Sequence, residues 1–190
     1  DGYRPIEADK VLFWDRQTTE SADLLKLLAD EFNKGREGLP VKVEYSGGYS
    51  DIFRKVSTSI QAGTVPAMAV AYQSMTTAYI EAGAVMALDE YVRDPQMGLS
   101  ESDLADFFPV VLETNRYPDY GGKMYSFPFC KSVLMMYFNK DVLADAGISA
   151  PPKTWDEFLE ACRQVKAKRG KSAYAVSVDA STIDGIIFSL

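Results

Sequence analysis

Histidine is absent from the 190 residues, and cysteine occurs only as Cys130 and Cys162. Without an imidazole, a Ser-His-Asp triad, a Cys-His pair and the usual zinc sites are excluded within this chain. Two cysteines build no disulfide framework and say little about redox compartment. No run approaches the roughly 18 to 20 apolar residues that cross a bilayer. Positive charge is also scarce. Against 27 Asp and Glu stand 20 Lys and Arg, and the net charge of −7 argues against nucleic acid or anionic lipid as the principal partner. The opening DGYRPIEADK has neither an apolar core nor an initiator Met, so it does not read as a signal peptide. A mature or trimmed form is expected from that start. The last residues, STIDGIIFSL, stop on an apolar run without a polar tail, from which a fragment is expected.

The remaining composition is ordinary for a folded protein, with 47% hydrophobic and 25% charged residues. The length suits one large domain or two small ones. Residues 10–15, KVLFWD, are a short apolar run of strand formers, followed by a helical pattern with Leu24, Leu25, Leu27, Leu28 and Phe32 on one face. Ser21 or Thr19 is the expected cap of that helix, and Gly35 lies just past its end. VKVEY at 41–45 alternates as a strand. A helix from about Ser50 follows, with Ile52, Phe53, Val56 and Ile60 inward. AMAVAY at 67–72 reads as a continuous apolar strand, as expected inside a parallel sheet, and SMTTAYIEAG as a helix closed by Gly83. Strand and helix alternate three times over short links, which predicts an α/β fold with right-handed crossovers and a parallel sheet.

From about Asp94 the chain becomes rich in Pro, Gly, Tyr and turn residues. It then offers SVLMMYFNKD as an apolar strand with Met135 and Met136 in the core, and DVLADAG as a short helix. Next, PPKTWDEFLEACRQVKAKRG opens on a Thr154 cap, and its helix is expected to bury Trp155, Phe158, Leu159, Cys162 and Val165. SAYAVSVD at 172–179 reads as a further strand. Two lobes are expected: most of the first over 1–112, a crossover at 113–125, and the opening of the second over 126–190.

These pieces, in this order, resemble the extracellular solute-binding proteins of ABC importers, in the family that carries sugars and glycerol phosphate. VLFWDRQTTE is similar to the family's first strand and turn, and QAGTVPAMAVAY to its helix-to-strand passage, with Ala67 where an acidic residue is usual. SFPFCKSVLMMYFNKDVLADAGISAPPKTWDEF carries the strongest likeness. The aromatic-Trp first strand and glycine-tyrosine second turn resemble the glycerol-3-phosphate branch most. The resemblance implies a type II periplasmic-binding-protein fold, here incomplete, whose two lobes close by a hinge on a small ligand. It also implies an ABC permease as membrane partner and a periplasmic or extracellular location, with lipid anchoring through a removed N-terminal segment as one form. No cofactor is implied.

In an open α/β sheet, ligands lie beyond the carboxyl ends of the strands. Sugars and polyols call for polar planar groups on their hydroxyls and aromatic rings against their C–H faces. The strand-to-helix turns carry Trp14, Asp15, Arg16, Tyr49, Gln73, Lys131 and Ser132. Tyr49 and Ser132 match family positions that contact ligand, and Gln73 stands where the glycerol-phosphate branch has a glutamate. Trp155 matches a tryptophan that reaches the cleft. Each also has a plainer reading. Tyr49 and Ser132 serve equally as turn residues, Gln73 as a capping amide, and Trp155 as packing. Asp15–Arg16 and Lys131 serve equally as solvated surface. A sugar-modifying enzyme such as a glycosidase would need a carboxylate pair, and none stands out. A sensory or adhesion module on the same framework is the other rival.

Overall fold

The computed structural model describes residues 2–176, 182, 183 and 186. Its contacts divide the chain into two compact units, Asp1–Lys131 and Ser132–Leu190. The first unit begins with β1 (Arg4–Pro5) and β2 (Val11–Asp15), followed by α1 (Thr19–Asn33), β3 (Val41–Tyr45) and α2 (Tyr49–Gln61). β4 (Thr64–Val65), β5 (Met68–Ala69) and α3 (Gln73–Glu81) complete the alternation. β2 lies between β3 and β5, parallel to both, with Phe13 opposite Val43 on one side and Met68 on the other. A separate two-residue parallel pairing joins β1 to β4. The parallel sheet is therefore as the sequence predicts, although the third strand is shorter than 67–72. The Val70 N–H still donates to the Trp14 carbonyl at 3.1 Å.

The core gathers Leu12, Trp14, Ile52, Val56, Val70 and Tyr79. Ile52 and Val56 lie four apart on α2, so both point at the sheet, and each contributes about 1.5–3 kcal/mol of burial free energy. α1 forms where the helical spacing places it but departs from expectation at its start. Its N-cap is Thr18, with Thr19 inside the helix, so neither Ser21 nor Thr19 caps it. Its leucine stripe is not buried: Leu24, Leu27, Leu28 and Phe32 are each more than half exposed. The helical period marks a face to be covered, whereas α1 packs through β3, to which Asn33 is tied. The Asn33 amide donates to the Val41 carbonyl at 2.9 Å and accepts from the Val41 N–H at 2.8 Å.

Short helices α4 (Asp89–Val92), α5 (Glu101–Asp106) and α6 (Pro109–Glu113) follow, then a hairpin of β6 (Arg116–Tyr117) and β7 (Lys123–Met124). The expected crossover at 113–125 thus holds the end of α6 and this hairpin. Asp89 fastens it, accepting from Arg116 at 3.0 Å and from the Met124 N–H at 2.9 Å.

The second unit contains α7 (Lys140–Asp145) and α8 (Trp155–Arg169). Thr154 caps α8 as expected, its hydroxyl accepting from the Glu157 N–H at 3.2 Å. Lys166, Lys168 and Arg169 occupy the last turn, where cations offset the helix dipole. Val165 is buried as expected, together with Ala161, whereas Phe158 and Cys162 are only half-buried and Trp155 and Leu159 are exposed. The strand predicted over SVLMMYFNKD at 132–141 does not form, and its last two residues open α7. Val133 to Phe138 carry no ladder, and Met135 and Met136 are exposed rather than core. Strand propensity needs a neighbouring strand to become a strand, and this segment pairs with none among the described residues. In the segment predicted as the last strand, residues 172–176 carry no ladder, and 177–179 lie outside the described residues.

Candidate functional site

Because β3, β2 and β5 run parallel, their C-terminal ends open on one rim, and the site is built there. β2 delivers Asp15 and then Arg16 and Gln17. β3 leads through Ser46, Gly47 and Gly48 into Tyr49, the first residue of α2, while the chain after β5 delivers Tyr72 and then Gln73, the first residue of α3.

The glycines of SGGYS have separate duties. Gly47 has φ +90°, and a Cβ there would stand 2.7 Å from the Asp51 Cβ. That close approach lets the Gly48 N–H reach the Asp51 carboxylate at 3.1 Å, which satisfies a donor at the start of α2. Tyr49 is thereby held at the helix entrance. Its ring stacks on Tyr72 with centroids 4.0 Å apart and planes inclined by 31°. The Arg16 guanidinium carbon lies 5.0 Å over the Tyr49 centroid. Burial pushes the Tyr49 phenol above its ordinary pKa, with Tyr72, Cys130 and Asp15 adding to the rise and Arg16 opposing it. It therefore stays protonated at neutral pH and able to donate a hydrogen bond.

Asp15 is 1% exposed. Its Oδ2 accepts from the Gln17 N–H at 2.6 Å, while its buried Oδ1 has no hydrogen-bond partner. Gln17 in turn donates its side-chain amide to the Cys130 sulfur at 3.5 Å. Gln73 is exposed, and its amide donates to the Thr114 carbonyl at 3.3 Å.

The rim thus assembles Asp15, Arg16, Tyr49 and Gln73 from the residues singled out in the sequence. It adds Gln17, Tyr72 and Cys130. Tyr72 ends an apolar run, and only its place at a strand exit could have marked it. For Cys130, no signal in the sequence foretold the contact. Trp14 takes a different place: it is 3% exposed in the core, with the Lys55 ammonium 3.9 Å from its ring centre. Lys131 is exposed at the end of the first unit. In the second unit, Ser132 is exposed and Trp155, at the first position of α8, lies edge-on to Phe158 at 5.7 Å. Such a rim offers hydrogen-bond donors and acceptors beside aromatic rings. Among the described residues, no cluster of acidic or sulfur ligands suits a metal ion.

Comparison with known proteins agrees with this architecture. The chain is 28% identical over 171 residues to the sn-glycerol-3-phosphate-binding periplasmic protein UgpB of Pectobacterium atrosepticum, covering 88% of this chain and 37% of that one. The protein of the same name from Brucella abortus is 25% identical over 169 residues, covering 87% of this chain and 38% of that one. The chain therefore spans well under half the length of these curated relatives. Among solved structures, a cyclic alpha-maltosyl-1,6-maltose binding protein from Arthrobacter globiformis matches with a TM-score of 0.58 at 20% identity, over 93% of this chain and 42% of that one. UgpB from Mycobacterium tuberculosis in complex with glycerophosphocholine matches with a TM-score of 0.56 at 22% identity, over 88% and 43%. At those identities the likeness establishes the fold, which is that of type II periplasmic binding proteins. The profile of bacterial extracellular solute-binding proteins matches residues 16–189, from the turn after β2 onward, and the chain belongs to that family.

Proposed function

We propose that this chain is part of the extracytoplasmic substrate-binding component of an ABC transporter. It captures a sugar, polyol or glycerol phosphate without chemical conversion and hands it to permease subunits. The carrying observation is the convergence of Asp15, Arg16, Tyr49 and Gln73 on one rim of a parallel sheet, with the Tyr49 ring held by Tyr72. Ser132 and Trp155 are proposed as further contacts from the second unit. Trp14, buried under Lys55, supports the rim from below. Relatives named for sn-glycerol 3-phosphate and a fold shared with a maltosyl-maltose binding protein favour this ligand range. The location follows the family, outside the cytoplasm.

The test is calorimetric titration of the longest natural form of the protein with sugars, glycerol and glycerol phosphate, before and after Tyr49→Ala. The ring is half-buried and stacked at the rim, so its loss is expected to weaken binding at least tenfold while the fold survives. Unchanged affinity would remove Tyr49 from the site, and turnover of any probe would replace transport by catalysis.

A further inference from the structure

β3 is the outer strand of its sheet, with β2 on one side and, among the described residues, no strand on the other. Such an edge leaves a row of backbone donors and acceptors open to a second extended chain. The Pro40 carbonyl accepts from the Val11 N–H at 2.9 Å, and the Ser46 N–H donates to the Asp15 carbonyl at 2.9 Å, both on the β2 side. The alternation along a ladder then turns the N–H and C=O of Val41, Val43 and Tyr45 to the outer edge. Val41 is not open there. Asn33, the last residue of α1, accepts from the Val41 N–H at 2.8 Å and donates to its carbonyl at 2.9 Å. A side-chain amide holds an acceptor and a donor side by side, as a peptide group does, so Asn33 stands where a neighbouring strand would stand.

We propose that Asn33 closes this edge against a second copy of the chain, filling the position at which β3 would otherwise pair with β3 of another molecule. The strand VKVEY is complementary to itself. Antiparallel pairing of two copies centred on Val43 sets Lys42 opposite Glu44 and Val41 opposite Tyr45, once on each side of the centre. Opposite charges, and a β-branched residue against an aromatic ring, are favourable cross-strand pairs. The two-fold axis makes the match reciprocal, as contact between identical surfaces requires. Lys42 and Glu44 now pair with Glu7 at 3.5 Å and Lys55 at 3.2 Å. These are surface ion pairs of small value, so both side chains remain available to a partner. In the paired register, every ladder bond except the exchange at Val43 runs through Val41 of one copy or the other. Asn33 already holds both groups of Val41, so the edge is blocked where most of the ladder would form.

The experiment uses the longest natural form of the protein as wild type, as Asn33→Ala, as Asn33→Ala with Lys42→Glu, and as Asn33→Ala with Lys42→Glu and Glu44→Lys together. Sedimentation velocity across roughly 1–100 µM reads the association. The wild type is expected to be a monomer and Asn33→Ala a dimer. Adding Lys42→Glu sets like charges opposite each other twice and should raise the dissociation constant about tenfold, and the full charge exchange should restore it. Ile52→Val loosens the core without touching the edge and is expected to stay monomeric. A wild-type dimer, a monomeric Asn33→Ala, a dimeric Ile52→Val, or an Asn33→Ala dimer indifferent to Lys42→Glu overturns the proposal. In the last case another face, such as the exposed leucines of α1, makes the contact. Amide hydrogen exchange of the wild type needs no variant: the Val41 N–H is expected to exchange slowly and those of Val43 and Tyr45 several-fold faster. Slow exchange at Val43 and Tyr45 would reveal an edge already covered, and it overturns the proposal even where Asn33→Ala does not fold.

Discussion

Gly47→Ala isolates the turn that sets Tyr49 at the rim. The residue has φ +90°, a region that side chains with a Cβ rarely adopt, and that alone costs of order 1–3 kcal/mol. The added Cβ would also meet the Asp51 Cβ at 2.7 Å and its Oδ2 at 2.9 Å, so the turn or the Asp51 side chain must move. Moving Asp51 sacrifices its hydrogen bond to the Gly48 N–H, worth about 1 kcal/mol. The total is about 2–4 kcal/mol. Gly48→Ala is the internal control, because Gly48 has φ −74° and an added Cβ there would stand 3.7 Å from its nearest neighbour. It should cost no more than about 1 kcal/mol, the ordinary loss on placing Ala at a helix N-cap. Urea denaturation of both variants beside the wild type measures the difference, and ligand titration should show the greater loss for Gly47→Ala. Equal midpoints for the two variants would refute the reasoning, since chain neighbours with the same residue change would then differ only in features that do not matter.

Tyr79 has a hydroxyl that is buried without a partner, and burial pushes its phenol up to about 12. Tyr79→Phe removes that unpaired group and should raise the melting temperature by a few degrees, corresponding to about 1 kcal/mol; a drop would show that the hydroxyl is satisfied. Asn33→Ala deletes both bonds to the Val41 backbone and should cost about 1–2 kcal/mol in urea denaturation, with an unchanged midpoint counting against the tie between α1 and β3. Burial pushes the Asp89 carboxyl up, yet the Met124 N–H and the Arg116 guanidinium outweigh it and hold the pKa below the usual carboxylate value. Its stabilisation is therefore present above the ordinary value near 4 and disappears as pH falls through the lowered folded value. Asp89→Asn should melt below the wild type at pH 7, with the gap closing under about pH 4; a gap constant with pH would refute the ionic contribution.

The first unit was the more legible because its signals are local and mutually supporting. VLFWD and VKVEY alternate or run apolar over five residues each, helices intervene, and the parallel ladder follows from the short connections. What failed were statements about partners. The leucines of α1 and the run Val133–Phe138 are apolar at the right period, yet a period says only that a face is suited to burial. What lies against that face is a long-range property, and here Tyr137 stands 94% exposed. The same limit explains α8, where Val165 is buried as expected, but Trp155 and Leu159 are exposed and Ala161, not singled out, is buried.

At the site, the sequence offered Trp14, Asp15 and Arg16 as one turn, and the fold separates them. Their fates depend on where β2 stops, which differs by a single residue between neighbours. Trp14 still lies within the sheet and joins the core, Asp15 ends the strand with its carboxylate enclosed, and Arg16 leaves it and lies over Tyr49. This division makes the rim firm. Tyr49 is one helical turn from Ile52, which is 0% exposed, and its ring is fixed between Tyr72 and Arg16. A side chain already immobilised loses little rotamer freedom on binding, a cost of about 0.5–1.5 kcal/mol for each flexible residue that must be ordered. Under the proposed binding role, the core residues act on affinity without touching a ligand, because they hold the Tyr49 ring in place before one arrives.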